Sequence, residues 1–138
     1  MKAEPILFED FVPGALMGER VERYDAEQAS RWQAIFGDQP RDGVSGADGA
    51  AQGASMAVIS MMRGYLNLVT PRPPGNVHAR QQLQMRALPQ PGEAIRIEVR
   101  CAGKELRRER RYVELAVQGS GEQGRALFDA QLSLIWAA

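Results

Sequence analysis

The sequence predicts an α+β fold, a mostly antiparallel and curved sheet wrapped around one long central helix. Three observations predict it. The run Gly49–Leu66, GAAQGASMAVISMMRGYL, is apolar around most of a helical circumference. Almost everything after Pro74 alternates with the period of two that strands show. Strands that follow one another without intervening helices pair with their neighbours and run antiparallel.

Taken in order, residues 1–14 form an irregular lead-in, anchored by Ile6, Leu7, Phe8 and Phe11 before a Pro13–Gly14 turn. A short strand is expected over Ala15–Tyr24. Asp25 then has the character of a helix N-cap, with Gln28 three residues on to complete a capping box. Ala29, Trp32 and Phe36 follow at helical spacing, and Gly37 ends that helix. Asp38–Asp48, DQPRDGVSGAD, is loop. In the central helix Ala50, Ala54, Ala57, Met61 and Tyr65 make one stripe and Ala51, Val58, Met62 and Leu66 a second, with Met56 and Ile59 on the remaining side. The helix is therefore expected to be buried almost all round.

Thr70–Gly75, TPRPPG, is a rigid connector. Strands are expected over Val77–Ala87, Ala94–Ala102, Arg110–Gln118 and Arg125–Ala137, with a turn at Pro89–Gly92 and a loop at Gly119–Gly124. Between the second and third of these strands, Lys104–Arg111, KELRRERR, is a solvated hairpin. Its charges guard a strand edge against aggregation, or recognise phosphate groups on a ligand. Trp32 and Trp136 sit in apolar patterns and belong to the core.

At 138 residues the chain is expected to be one domain, residues 1–138, with enough apolar material to build a core without metals or disulfides. Lysine plus arginine equals aspartate plus glutamate, at 17 each, and the isoelectric point is about 6.6. That balance suggests neither nucleic acid nor an anionic membrane as partner. The single cysteine, Cys101, excludes an internal disulfide and continues a strand pattern as a small buried hydrophobe. The start, MKAEPILFEDF, lacks the apolar run of a signal peptide, and Ala54–Met62 is too short to span a bilayer. A cytoplasmic compartment is expected.

Candidate chemistry is sparse. Gly43, Gly46, Gly49 and Gly53 match neither the dinucleotide fingerprint nor the phosphate loop. A glycine-rich helix start nonetheless leaves N–H groups free to bind an anion or oxyanion, and Gly53 would let a ligand come close. His78 is the only histidine, so a multi-histidine metal site is not available within one chain. Asp38, Asp42 and Asp48 include the candidates for a general base.

Several of these segments resemble the MaoC-like acyl dehydratases, or (R)-specific enoyl-CoA hydratases, of the hotdog superfamily. FEDFVPG (Phe8–Gly14) is similar to that family's entry segment. The helix ending in Phe36-Gly37-Asp38, with Pro40 nearby, resembles the place of its Asp-x-Asn-Pro-x-His motif. Gln52-Gly53 resembles its His-Gly pair, and Leu88–Glu93, LPQPGE, its "PV-x-PGD" turn. The resemblance implies a hotdog fold and a dimer with an acyl-thioester site at the subunit interface. It also implies hydration of trans-2-enoyl-CoA or dehydration of (R)-3-hydroxyacyl-CoA. It would give Asp38 the aspartate's role and the Gly53 N–H that of oxyanion donor. Where the family carries histidines, this chain has Arg41 and Asp42 in the shortened loop and Gln52 at the helix.

Arginine cannot take and return a proton near neutral pH, whereas Asp42 can if its pKa is raised. The catalytic candidates are thus Asp38, Asp42 and Gly53, and the substrate-binding candidates Gln52, Met56, Arg41 and His78. Three functions follow: a hydratase–dehydratase pairing Asp38 with Asp42 or His78, a thioesterase using Asp38 or Asp48, and a non-catalytic binding module. That module would hold an acyl thioester or partner a related hotdog subunit. No cofactor or metal is expected beyond coenzyme A as part of the substrate. The expected partners are that thioester and a second subunit, in a homodimer or hetero-oligomer.

Overall fold

A computed structural model describes residues 4–23, 45–90 and 92–138, and of residues 45–53 the backbone alone. Its elements are β1 (Leu16–Arg23), α1 (Ser45–Leu68), β2 (Val77–Met85), β3 (Ala94–Arg107), β4 (Arg110–Ser120) and β5 (Ala126–Trp136). Short 3₁₀ turns occur at Phe8–Asp10 and Glu122–Gly124. The expected helix between Asp25 and Phe36 lies outside the described residues.

The strands form one sheet in the order β1-β3-β4-β5-β2, every pair antiparallel. Each of the three central strands puts alternate apolar residues on the inner face. Ile95, Ile97, Val99 and Cys101 come from β3, and Val113, Leu115 and Val117 from β4. Phe128, Ala130, Leu132, Leu134 and Trp136 come from β5, and all are buried. Helix α1 lies across β3, β1 and β4. Contact is closest at Gly64, where an added Cβ would stand 2.5 Å from Ile97 Cγ2. Phe11 closes the core end-on, its ring 4.8 Å from that of Trp136 in a T-shaped pair.

Three expectations change. The helix starts at Ser45 rather than Gly49 and runs to Leu68, so Gly53 lies two turns inside it. The helix is also buried on one face only. Met56, Ala57, Ser60, Met61 and Tyr65 are covered, while Val58 and Ile59 are 37% exposed and Leu66 43%. The apolar second stripe therefore looks away from the sheet of its own chain. Finally, β3 runs on to Arg107 instead of ending at Ala102. A bulge between Cys101 and Gly103 absorbs the break in alternation, and β4 pairs with the strand on both sides of it.

A second bulge, between His78 and Arg80, resets the phase of β2. His78 is opposite Leu134, and beyond the bulge Gln81, Leu83 and Met85 are opposite Leu132, Ala130 and Phe128. The histidine thus joins the inner face, and Val77, opposite Ile135, does not.

Candidate functional site

Helix α1 carries candidates at both ends, and its length separates them. Gly53 and Gln52 lie in its N-terminal half, of which the backbone alone is described. An amide two turns inside an α-helix is bonded to the carbonyl four residues earlier. The helix path therefore removes the free N–H expected of Gly53 as oxyanion donor, and leaves it the role of a position without Cβ. Met56, one turn on, is 2% exposed and part of the core; Ile59 is the neighbouring apolar side chain that reaches the surface. Asp38, Arg41 and Asp42 lie outside the described residues, and of Asp48 only its helical backbone is described.

The C-terminal half builds a cleft of about 400 Å³, lined by residues that include Tyr65, Leu66, Arg72, Asn76 and His78. Local chemistry sets its walls. The helix ends at Leu68, and Arg72 Nη1 returns from the connector to cap it, donating to the carbonyls of Leu66 (2.9 Å) and Val69 (2.8 Å). That capping places the guanidinium 5.5 Å from the centre of the Tyr65 ring. His78 meets the same ring edge-on at 6.1 Å between centroids. Asn76 Oδ1 accepts the Ala137 N–H at 2.7 Å, and Nδ2 is buried without a partner among the described residues. Burial pushes the Tyr65 hydroxyl above its ordinary pKa, against the opposing pull of the Arg72 charge.

Among the described residues no carboxylate lines this cleft. From Gly53 to Tyr65 is twelve residues of helix, about 18 Å at 1.5 Å per residue. Within one chain His78 and Gly53 therefore belong to opposite ends of the helix. Sequence reasoning overlooked Arg72 and Asn76. An arginine a few residues past the last helical turn was the available signal for Arg72; for Asn76 there was none.

A third polar cluster closes the turn before β3. Glu93 is 6% exposed. Its carboxylate accepts the amides of Gln90 and Glu122, each at 3.0 Å, and pairs with the Arg125 guanidinium. Burial pushes the carboxyl up, but those hydrogen bonds and the Arg125 charge outweigh it and hold the group below the ordinary glutamate value. Every strong partner comes from the scaffold itself, so the cluster fastens the β2–β3 turn to the β4–β5 turn.

No protein-family model matches the chain, and no curated protein matches it by sequence. Solved structures do match in shape. A MaoC-like dehydratase from Rhodospirillum rubrum aligns over 96% of this chain and 98% of its own, with a TM-score of 0.74 and 17% identity. The chain has the hotdog fold. The R-hydratase PhaJ1 from Pseudomonas aeruginosa, unliganded, shares that hotdog architecture over 96% of this chain and 86% of its own (TM-score 0.68, 18% identity). So does the ChsH1–ChsH2 complex from Mycobacterium tuberculosis, over 91% and 98% (TM-score 0.65, 15% identity). In hotdog terms α1 is the filling and β1–β5 the wrapping sheet. Among the described residues no helix is long and apolar enough to cross a membrane.

Proposed function

We propose that this protein is an acyl-thioester hydratase–dehydratase, adding water to a trans-2-enoyl thioester or removing it from the (R)-3-hydroxyacyl form. The observation that carries the reading is the hotdog fold over 96% of the chain, shared with a dehydratase and an R-hydratase. In that fold Asp38 and Asp42 precede the helix that carries Gly53. Asp38 takes a proton from water as its oxygen bonds to C-3, Asp42 in its protonated form delivers a proton to C-2, and a proton passes from Asp38 back to Asp42 through water to restore the pair. The π electrons of the double bond pass through the thioester enolate and return to form the C-2–H bond. Gly53, lacking a Cβ, lets the thioester lie close to the helix. Gln52 and Arg41 are assigned to binding the thioester, and Met56, buried in the core, to backing the acyl chain.

Assembly supports the same reading. The two sheet edges differ in chemistry. Four of the eight residues of β1 are charged, the usual guard on an exposed edge. Strand β2 has one charged residue, Arg80, and three glutamines in nine, and it pairs only with β5 among the described residues. The exposed Leu66 of α1 lines one cleft with His78 of this strand. We assign this face to a second hotdog subunit, which brings another helix against α1 and a second set of candidates to the interface.

One observation favours a second reading. The only histidine is about 18 Å of helix away from Gly53, and ChsH1–ChsH2 is a complex of two different chains. On that reading the chain is the non-catalytic member of a hetero-oligomer, binding or covering an acyl thioester for a complete partner. One assay separates the possibilities. Purified protein is incubated with trans-2-enoyl-CoA esters of several lengths, and loss of the enoyl chromophore and release of free thiol are followed together. The hydratase reading expects chromophore loss without thiol, abolished in Asp38→Asn. Thiol release indicates a thioesterase, and silence in both channels leaves the partner-subunit reading.

A further inference from the structure

The β3–β4 hairpin projects beyond the rest of the sheet. Strand β1 begins opposite Arg100, whereas β3 and β4 remain paired out to Arg107 and Arg110. Residues 105–111 are all exposed. Lys104–Arg111 holds five cations and two carboxylates in a chain whose formal net charge is zero.

Several arginines elsewhere in the chain have carboxylate partners. Arg20 and Arg63 pair with Glu22, Arg86 with Asp129, Arg96 with Glu19 and Arg125 with Glu93. At the hairpin tip no such pair occurs among the described residues. Lys104 Nζ bonds the Phe8 carbonyl at 2.9 Å, Arg107 lies 4.7 Å over the Tyr112 ring, and Arg111 reaches the Ala137 carbonyl at 3.4 Å. Arg107 is the register partner of Arg110, so two like charges face each other across the ribbon. That arrangement weakens a hairpin. The two turn residues, Arg108 and Glu109, have φ of 52° and 67°, a backbone that favours asparagine and glycine. Leu106, between these cations, is 65% exposed. The like-charge pair, the left-handed turn residues and the exposed leucine each cost stability.

We propose that the tip of the β3–β4 hairpin is a docking element for a protein partner whose surface sets carboxylates around an apolar recess. Leu106 enters the recess while Arg111, its partner across the ribbon, and Arg108 at the turn meet the carboxylates. A small anion fits the tip poorly. Fully exposed cations gain little from one in water, and it would leave Leu106 unused. Protein interfaces, by contrast, combine an apolar anchor with flanking arginines. The inference is independent of the reaction proposed above.

The test uses the full chain and a synthetic amphipathic helix with a leucine stripe flanked by glutamates; backbone amide shifts are followed by NMR and affinity by fluorescence anisotropy. Shifts should concentrate in residues 104–112, and affinity should fall about tenfold on raising salt to about 0.3 M. Arg108→Glu with Arg111→Glu should abolish binding, and Leu106→Ala should weaken it about fivefold. Binding unchanged in the double variant, or shifts elsewhere, overturns the proposal. So does equal affinity for the same peptide with lysines in place of glutamates. Pyrophosphate binding to the same residues as strongly as the peptide makes the tip a phosphate site and overturns the protein reading.

Discussion

Glu93 is a carboxylate that the fold has enclosed and then supplied with donors. Replacing it by glutamine removes the charge from the Arg125 contact and turns an acceptor toward the Glu122 or Gln90 amide into a donor. Glu93→Gln should lower unfolding free energy by about 1–3 kcal/mol at neutral pH. The pH dependence follows from the direction of the shift. Folding lowers this pKa, so the stabilisation is complete above the ordinary value of 4.5 and fades as pH falls through the folded value. Urea titrations at pH 7 and in the acid range below 4.5 should therefore show wild type and variant converging as pH drops. Glycine positions give a second expectation at this scale. A Cβ on Gly119 would stand 2.2 Å from the Phe128 ring, and one on Gly64 2.5 Å from Ile97. Gly119→Ala and Gly64→Ala should each lower the urea midpoint, by about 1–3 kcal/mol of overpacking, with the slope unchanged.

Between elements the informative contrast is the one between the two edges of the sheet. If β2 is the assembly edge, Gln82→Lys with Gln84→Lys sets lysines against lysines across it. Sedimentation velocity should then show the species halved in mass with circular dichroism unchanged; a wild-type protein that is monomeric at tens of micromolar excludes the assignment. The hairpin turn makes the opposite kind of prediction. Arg108→Asn with Glu109→Gly should stabilise the chain by about 1 kcal/mol in thermal melts, because both positions are left-handed.

Element order was legible in the sequence because periodicity is a local signal. The alternation of Ile95, Ile97, Val99 and Cys101 and the strand closing at Trp136 are where the pattern puts them. What the pattern could not carry was set by partners. Residues 103–107, three of them charged, stay in β3 because β4 bonds to them. His78, though exposed, shares the face of Leu134 because of a bulge that only the pairing with β5 creates. Val58, Ile59 and Leu66 have the composition of a core but lie beyond the reach of their own sheet. The site was less legible than the fold. Gly53 was placed at a helix head because its glycine neighbours look like a loop, and the helix runs through them.

At the scale of the molecule, the reaction proposed for this hotdog scaffold is hydration of an acyl thioester. The chemistry proposed for it breaks or makes one bond that nothing else in the mixture touches, the C-2–H bond of the acyl chain. The most direct measurement is hydration of a trans-2-enoyl-CoA in deuterated water, with the product analysed by mass spectrometry after exchangeable sites are returned to hydrogen. The account predicts a 3-hydroxyacyl-CoA carrying one deuterium at C-2, and none formed by Asp38→Asn. Unlabelled, unchanged enoyl-CoA at every chain length, or free acid and free thiol in its place, would contradict it.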